Sequence, residues 1–208
     1  MTVTERVAAG DGLERVQEAL GTLATEARLN FDHIDVWCAP KDLIEVATRL
    51  RDGDGLQFRF FTFLSAIDRS EWKVEGDAQE SQQQEGAPEE QEVERPTGGD
   101  VHDPPAGKLE VLIHLYSPEH ALNVNIHVPL GAPECPTLTG VFRGAIWHER
   151  ETYEMFGIDF EGHPRLVNLY LPEDFEGHPL LKSFKLPTRI VKDWPGAKDP
   201  EEAAAGGP

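Results

Sequence analysis

Apolar residues along the first part of the chain switch between helical and strand spacing. Leu13, Val16, Leu20, Leu23 and Ala27 recur at three- and four-residue steps and predict an amphipathic helix between about Leu13 and Arg28. From Phe31 to Trp37 the pattern alternates, with Ile34, Val36 and Cys38 on one side and Asp35 and Trp37 on the other, as in a half-buried strand. Pro40 and Asp42 open a second helix with Leu43, Val46, Ala47 and Leu50 as its core stripe and Gly53 as its stop. Leu56 to Ile67 is apolar on both sides for much of its length and reads as a central strand covered on both faces. Its rings, Phe58, Phe60, Phe61 and Phe63, are read as core rather than as a quinone or lipid pocket. Leu109 to Tyr116 and Leu122 to Val128 alternate cleanly, joined through Ser117 to Ala121 as a hairpin. Leu122, Val124, Ile126 and Val128 face in, and Asn123, Asn125 and His127 face out. Pro129, Pro133 and Pro136 end this sheet.

These elements predict an α+β fold, a four-stranded, mostly antiparallel sheet with helices packed on one face, followed by a long extended C-terminal tail. The domain covers residues 1–158 and carries an acidic low-complexity insert at about 75–106; residues 159–208 form an extended segment lying on a partner. Gly76 to Pro105 holds Gln, Glu, Gly and Pro with almost no large apolar side chain, too polar to offset its ordering entropy. Between Glu75 and Asp103 ten acidic residues face Arg95 alone, which is -9 of a net charge of -19. Such a charge argues against nucleic-acid binding and against an anionic membrane surface. Beyond Phe184 proline and charge dominate, with Ile190 and Trp194 as apolar anchors, so this tail is expected on a neighbour or loose.

A third helix is predicted from Leu138 to Phe156, capped by Thr137 and stopped by Gly157. On its wheel Leu138, Phe142, Ala145, Tyr153 and Phe156 share one face, and Glu149 stands at the centre of that face, where a leucine is expected. Burying that carboxylate alone costs several kcal/mol, roughly the penalty of an unpaired ion, so Arg150 or a partner's basic group is expected to meet it. Arg150 and Glu154, one turn apart, suit an ordinary surface ion pair. Trp147, Glu151 and Met155 give the helix a second face, which asks for another chain to cover it.

Cys38 and Cys135 lack metal-ligand spacing and read as reduced, partly buried thiols; an iron-sulfur cluster would need four such ligands. His148, His163 and His178, with Glu149, Glu151 and Asp174, could be drawn as a metal-dependent hydrolase site, but no two of these imidazoles stand one helical turn apart. Hydrogen bonds from His163 and His178 to backbone carbonyls or a partner's carboxylate fit their turn-like surroundings better. No glycine-rich phosphate loop or nucleophile elbow is present. Met1 to Ala9 resembles neither a signal peptide nor a transit sequence, which suits a bacterial cytosolic chain.

Glu149-Arg150-Glu151, then Glu154-Met155-Phe156-Gly157-Ile158, Phe160-Glu161-Gly162-His163-Pro164 and Leu171-Pro172-Glu173-Asp174-Phe175-Glu176-Gly177-His178-Pro179-Leu180 resemble the signature of the 30-kDa subunit family of respiratory complex I. Bacterial members of that family are the C-type subunits of NADH-quinone oxidoreductase. The resemblance covers about residues 137 to 187 closely and the rest by general layout. It implies a non-catalytic structural subunit in the peripheral arm of a proton-translocating enzyme, on the cytoplasmic side of the cell membrane. Electrons would pass from NADH through FMN and iron-sulfur clusters to quinone in other subunits, with no cofactor or metal in this chain. Its partners would be other hydrophilic-arm subunits, chiefly the large 49-kDa-type subunit that helps form the quinone pocket, over which the C-terminal extension runs. Glu149, Arg150, Glu151, Glu154, Gly157, Gly162, His163, Pro164, Pro172, Glu173, Gly177, His178 and Pro179 match the signature and would be interface and architecture residues. Val167, Leu181 and Ser183 depart from it, and the acidic insert is unusual for the family. The alternatives are the equivalent subunit of a membrane-bound hydrogenase or ferredoxin- or coenzyme-linked relative, a free-standing metal-dependent hydrolase, and an acidic adaptor acting through the insert.

Overall fold

Gly21 ends the first helix well before the apolar spacing does. It takes φ +53°, a conformation that side chains resist. Helix α1 therefore runs only over Ala9–Leu20, and a strand that the spacing did not announce, β1 (Ala24–Asn30), follows. Leu23 and Ala27 lie four apart, a spacing that satisfies one helical face and one strand face alike. β1 turns at Phe31 and Asp32 into β2 (His33–Cys38) and pairs with it antiparallel, Asn30 opposite His33. The computed structural model describes residues 7–70 and 109–184.

Helix α2 (Leu43–Asp52), strands β3 (Phe60–Asp68), β4 (Leu109–Ser117) and β5 (Leu122–Leu130) complete the main layer. The sheet has five strands in the order β1-β2-β5-β4-β3, one more than the four expected, because β1 falls where the apolar spacing predicts helix. Only β2 and β5 run parallel. The α+β class and its antiparallel bias stand.

Register explains the core. Ile34 pairs with Val124 and Val36 with Ile126, while across β4 Leu115, Ile113 and Val111 meet Val124, Ile126 and Val128. All are fully buried on the face that carries the helices. Gly12 of α1 sits so close to that face that a Cβ there would lie 2.9 Å from Leu122 Cδ1. β3 is an edge strand, not the central one expected. Phe60 is 56% exposed and only Leu64 and Ala66 of this strand are buried, while Phe58 fills the core from the loop before it.

Residues of the opposite parity line a face without helices among the described residues. Asp35 and Trp37 are almost wholly buried there, not half-exposed as alternation implied. Asp35 accepts hydrogen bonds from Asn30 Nδ2 (3.0 Å) and Asn125 Nδ2 (2.7 Å), and the Trp37 ring stacks on His127 at 4.4 Å with the Arg28 guanidinium on Trp37 at 4.4 Å.

After β5 the chain forms β6 (Glu134–Pro136), helix α3 (Ala145–Phe156) and β7 (Asp159–Glu161), with β6 and β7 paired in parallel. The acidic insert at about 75–106 and the stretch beyond Phe184, with Ile190 and Trp194, lie outside the described residues.

Candidate functional site

Helix α3 starts seven residues later than the spacing suggested. Leu138 to Gly144, with Gly140 and Gly144 among them, is a series of turns, closed by Phe142 N–H on Leu138 O at 2.8 Å. Thr137 is thus not the helix cap. Its hydroxyl donates to Glu149 Oε2 (2.5 Å), and the Leu138 N–H donates to Glu149 Oε1 (2.6 Å). Glu149 is fully buried, as its place on the wheel implied, but among the described residues neither Arg150 nor any other cation meets it. Burial pushes its carboxyl up to about 7, and the bonds from Thr137 and Leu138 only partly oppose that rise. The same carboxylate, after burial itself, helps hold the Cys135 thiol up at about 12.

Arg150 and Glu154 do not pair with each other. Arg150 donates Nε–H to Val167 O (2.8 Å) and Nη2–H to Asn168 O (2.7 Å). Glu154 is buried, and its carboxylate accepts the next three backbone N–H groups: Leu169 at 2.6 Å, Tyr170 at 2.9 Å and Leu171 at 3.4 Å. An arginine on carbonyls and a carboxylate on amides, one turn apart, hold one short segment by its backbone. The side chains of that segment therefore stay free to face outward.

The histidines fasten the rest of this strap. His163 Nε2 donates to Ile146 O (3.2 Å) and Nδ1 accepts from Arg165 N–H (3.0 Å). His178 Nδ1 donates to Glu154 O (2.8 Å), and Leu180 N–H donates to Met155 O (3.1 Å). Carbonyls of the last turn that a helix leaves unpaired are thereby satisfied. Gly157 takes the left-handed stop, φ +73°, and donates its N–H to Tyr153 O. Lys182 N–H closes the strap onto Asp68 Oδ2 at 2.8 Å.

Residues 163–184 are consequently tied to the chain's own domain. The other signature residues shape the path. Gly162 and Gly177 take positive φ, Asn168 Nδ2 donates to Pro172 O (3.3 Å), Pro164 and Glu173 are exposed, and Pro179 is half-buried. The Glu151 side chain makes no hydrogen bond or ion pair among the described residues. Trp147 is 58% exposed and Tyr170 65%, with Val167, Phe175 and Leu180 also outward, whereas Met155 packs against the core.

The three imidazoles drawn as a metal site are apart: His148 lies edge-on to Phe61, and the other two serve separate backbone carbonyls. Among the described residues no group of three His, Cys, Asp or Glu could hold a metal ion. No helix among them is long and apolar enough to cross a membrane.

A charged row on the helix-free face went unread in the sequence. His127 Nδ1 bonds Glu110 Oε1 (2.5 Å), Arg69 Nε donates to Glu110 Oε2 (2.8 Å), and His127 Nε2 stands 3.6 Å from Asp35 Oδ1, an ion-pair distance rather than a hydrogen bond. Burial alone would lower the imidazole, but Asp35 and Glu110 raise it above the ordinary 6.5. The parity of Glu110 with Leu112 and His114 was the available signal.

Fold and site together define an α+β domain whose signature helix carries a backbone-held strap with Val167, Tyr170, Phe175 and Leu180 turned outward. A family model described as respiratory-chain NADH dehydrogenase, 30 Kd subunit, matches residues 36–189, and the chain belongs to that family. It is 48% identical over 93 residues to a C-type subunit of NADH-quinone oxidoreductase, the second of that type in Rhizobium meliloti, covering 44% of this chain and 50% of the relative. It is 45% identical over 71 residues to the C/D-type subunit of NADH-quinone oxidoreductase from Salmonella heidelberg, covering 33% of this chain and 12% of that one. The chain thus spans half the length or less of these curated relatives. In fold it is similar to a chain of the membrane-bound sulfane sulfur reductase, an archaeal respiratory membrane complex, with TM-score 0.56 and 16% identity over 85% of this chain and 86% of that one.

Proposed function

We propose that this chain is a non-catalytic structural subunit in the peripheral arm of a proton-translocating NADH-quinone oxidoreductase. The observation that carries the reading is the strap. Arg150 and Glu154 bind the backbone of residues 167–171 and leave Tyr170 outward, and with the exposed Leu180 and Trp147 it offers apolar surface that a neighbour would cover. FMN, the iron-sulfur clusters and quinone belong to partner subunits, and this chain holds its place at the cytoplasmic face of the membrane through them. The large quinone-site subunit is the neighbour expected on the strap, and the joint C/D name of the Salmonella relative supports that pairing. Residues 159–208 would lie between this domain and that neighbour.

Affinity purification of the tagged chain from native membranes tests the reading. Recovery of the other hydrophilic-arm subunits is expected. Retrieval of hydrogenase subunits instead, or of the chain alone, would overturn it.

A further inference from the structure

The helix-free face of the sheet holds a recess of about 340 Å³ on the side of the sheet away from the helix-covered core. Asn30, Phe31, His33, Thr62, Phe63, His114 and Asn125 line it. The sheet builds it from register: Asn125 is opposite His114, and Phe63, set by a bulge in β3, is opposite His114 on the other side. The rings of Phe63 and His114 lie nearly parallel, 5.7 Å apart at an angle of 7°. Phe31 is 80% exposed in the β1–β2 turn and is held there at φ +52°, a conformation unfavourable for an aromatic residue.

Acceptors predominate among the polar groups of the recess, the exposed Thr62 hydroxyl being able to act either way. Asn30 and Asn125 each give an Nδ2–H to the buried Asp35 carboxylate, which leaves each Oδ1 as an acceptor without a partner among the described residues. His114 Nδ1 is likewise unpartnered. Burial, with His33 beside it, holds the His114 imidazole below its ordinary value against a hydrogen bond with Asn123 that favours the charged form, so the neutral ring keeps one acceptor nitrogen. No lysine or arginine lines the recess, and Asp35 places a negative charge behind it. Two carbonyl oxygens, an imidazole lone pair and two aromatic rings in front of a carboxylate match a planar cation that donates several hydrogen bonds and stacks.

We infer that this recess binds an arginine side chain of a neighbouring polypeptide, making the helix-free face a second docking surface separate from the strap. Arginine suits it better than lysine, because a flat donor fork can stack on an aromatic ring while donating to more than one amide oxygen, whereas an ammonium presents a compact, strongly hydrated point charge. Charge complementarity points the same way, since the Asp35 carboxylate behind the recess is held below its ordinary value by the bonds it accepts.

The test is an NMR titration of the full-length, isotopically labelled chain with N-acetyl-arginine methylamide, and with the citrulline counterpart as its neutral match in shape. Saturable shifts are expected at the side-chain amides of Asn30 and Asn125 and at the backbone of His33, with none at Trp147. The citrulline compound should bind several-fold more weakly. Phe31→Gly relieves the positive φ and so keeps the fold, yet it should weaken arginine binding about two- to five-fold, the loss of one exposed cation–π contact. Equal shifts from both compounds, shifts that do not saturate, or wild-type binding by Phe31→Gly would overturn the assignment.

Discussion

The imidazole of His178 occupies the space a side chain at position 157 would need, with its Nε2 2.7 Å from where a Cβ on Gly157 would sit. Gly157→Ala therefore carries two costs: about 1–2 kcal/mol for a left-handed non-glycine residue, and about 1 kcal/mol for the His178 bond to Glu154 O that the displaced ring gives up. Chemical denaturation of the purified chain should show a loss near 2–3 kcal/mol. Amide exchange at Leu180 should rise with it, and an unchanged exchange rate there would show that the ring is not the obstacle.

Glu154→Gln leaves one amide oxygen and an NH₂ group facing three backbone N–H donors. The strap at residues 169–171 should loosen by about 2 kcal/mol, on the scale of donors left unsatisfied around a lost charged acceptor. Hydrogen exchange of the Leu169, Tyr170 and Leu171 amides reads this directly. Replacing Arg150 by Ala should free the same segment at its other end and, under the proposed function, lower the amount of assembled enzyme rather than change its affinity for quinone.

Stability should fall with pH through Glu149. Its carboxyl is raised from 4.5 to about 7 in the fold, so the native state holds its proton more tightly than the unfolded chain does. The native state loses ground as pH climbs from about 4.5 to about 7, by on the order of 3 kcal/mol at 1.36 kcal/mol per unit, and changes no further above that. Glu149→Gln keeps an oxygen for the Leu138 N–H and should remove this slope. A wild-type slope in the variant would exclude Glu149 as its source.

His127 has the sign usual for a paired histidine. Its folded value is raised above 6.5, so its contribution is complete below 6.5 and disappears as pH rises through the folded value. In the Glu149→Gln background the decline that remains above 6.5 should vanish when His127 is changed to Gln. Following the His127 ring by NMR would reveal a midpoint above 6.5, and a midpoint below it would contradict the bracket of Asp35 and Glu110.

Tyr170→Ala with Leu180→Ala should leave unfolding within about 0.5 kcal/mol of wild type, since both side chains face out. Recovery of the partner subunits with the tagged chain should nevertheless drop sharply. Full recovery would remove the strap from the interface.

The alternating apolar runs of β2, β4 and β5 and the stripe of α2 were legible because each repeats at one period over several residues. β1 was not, since Leu23 and Ala27 fit either period and only the left-handed Gly21 decides between them. For α3, the position of Glu149 on the buried face could be read from spacing, but its partners could not. Thr137 looked like a cap by residue type, and only tertiary folding turns its hydroxyl onto a carboxylate twelve residues later. The roles of Arg150 and Glu154 were hidden for a related reason. Two opposite charges one turn apart suggest each other, while a returning backbone segment competes better for both.

Asp68 and Leu109 face each other across the β3–β4 ladder, so whatever sequence lies between them departs and returns at a single spot on the rim of the sheet. Closing such an excursion costs only about 0.6 kcal/mol for each doubling of its length. With Arg69 kept on Glu110, that junction is therefore a place where this protein can be lengthened or given a reporter domain without disturbing the pairing on which everything else is stacked.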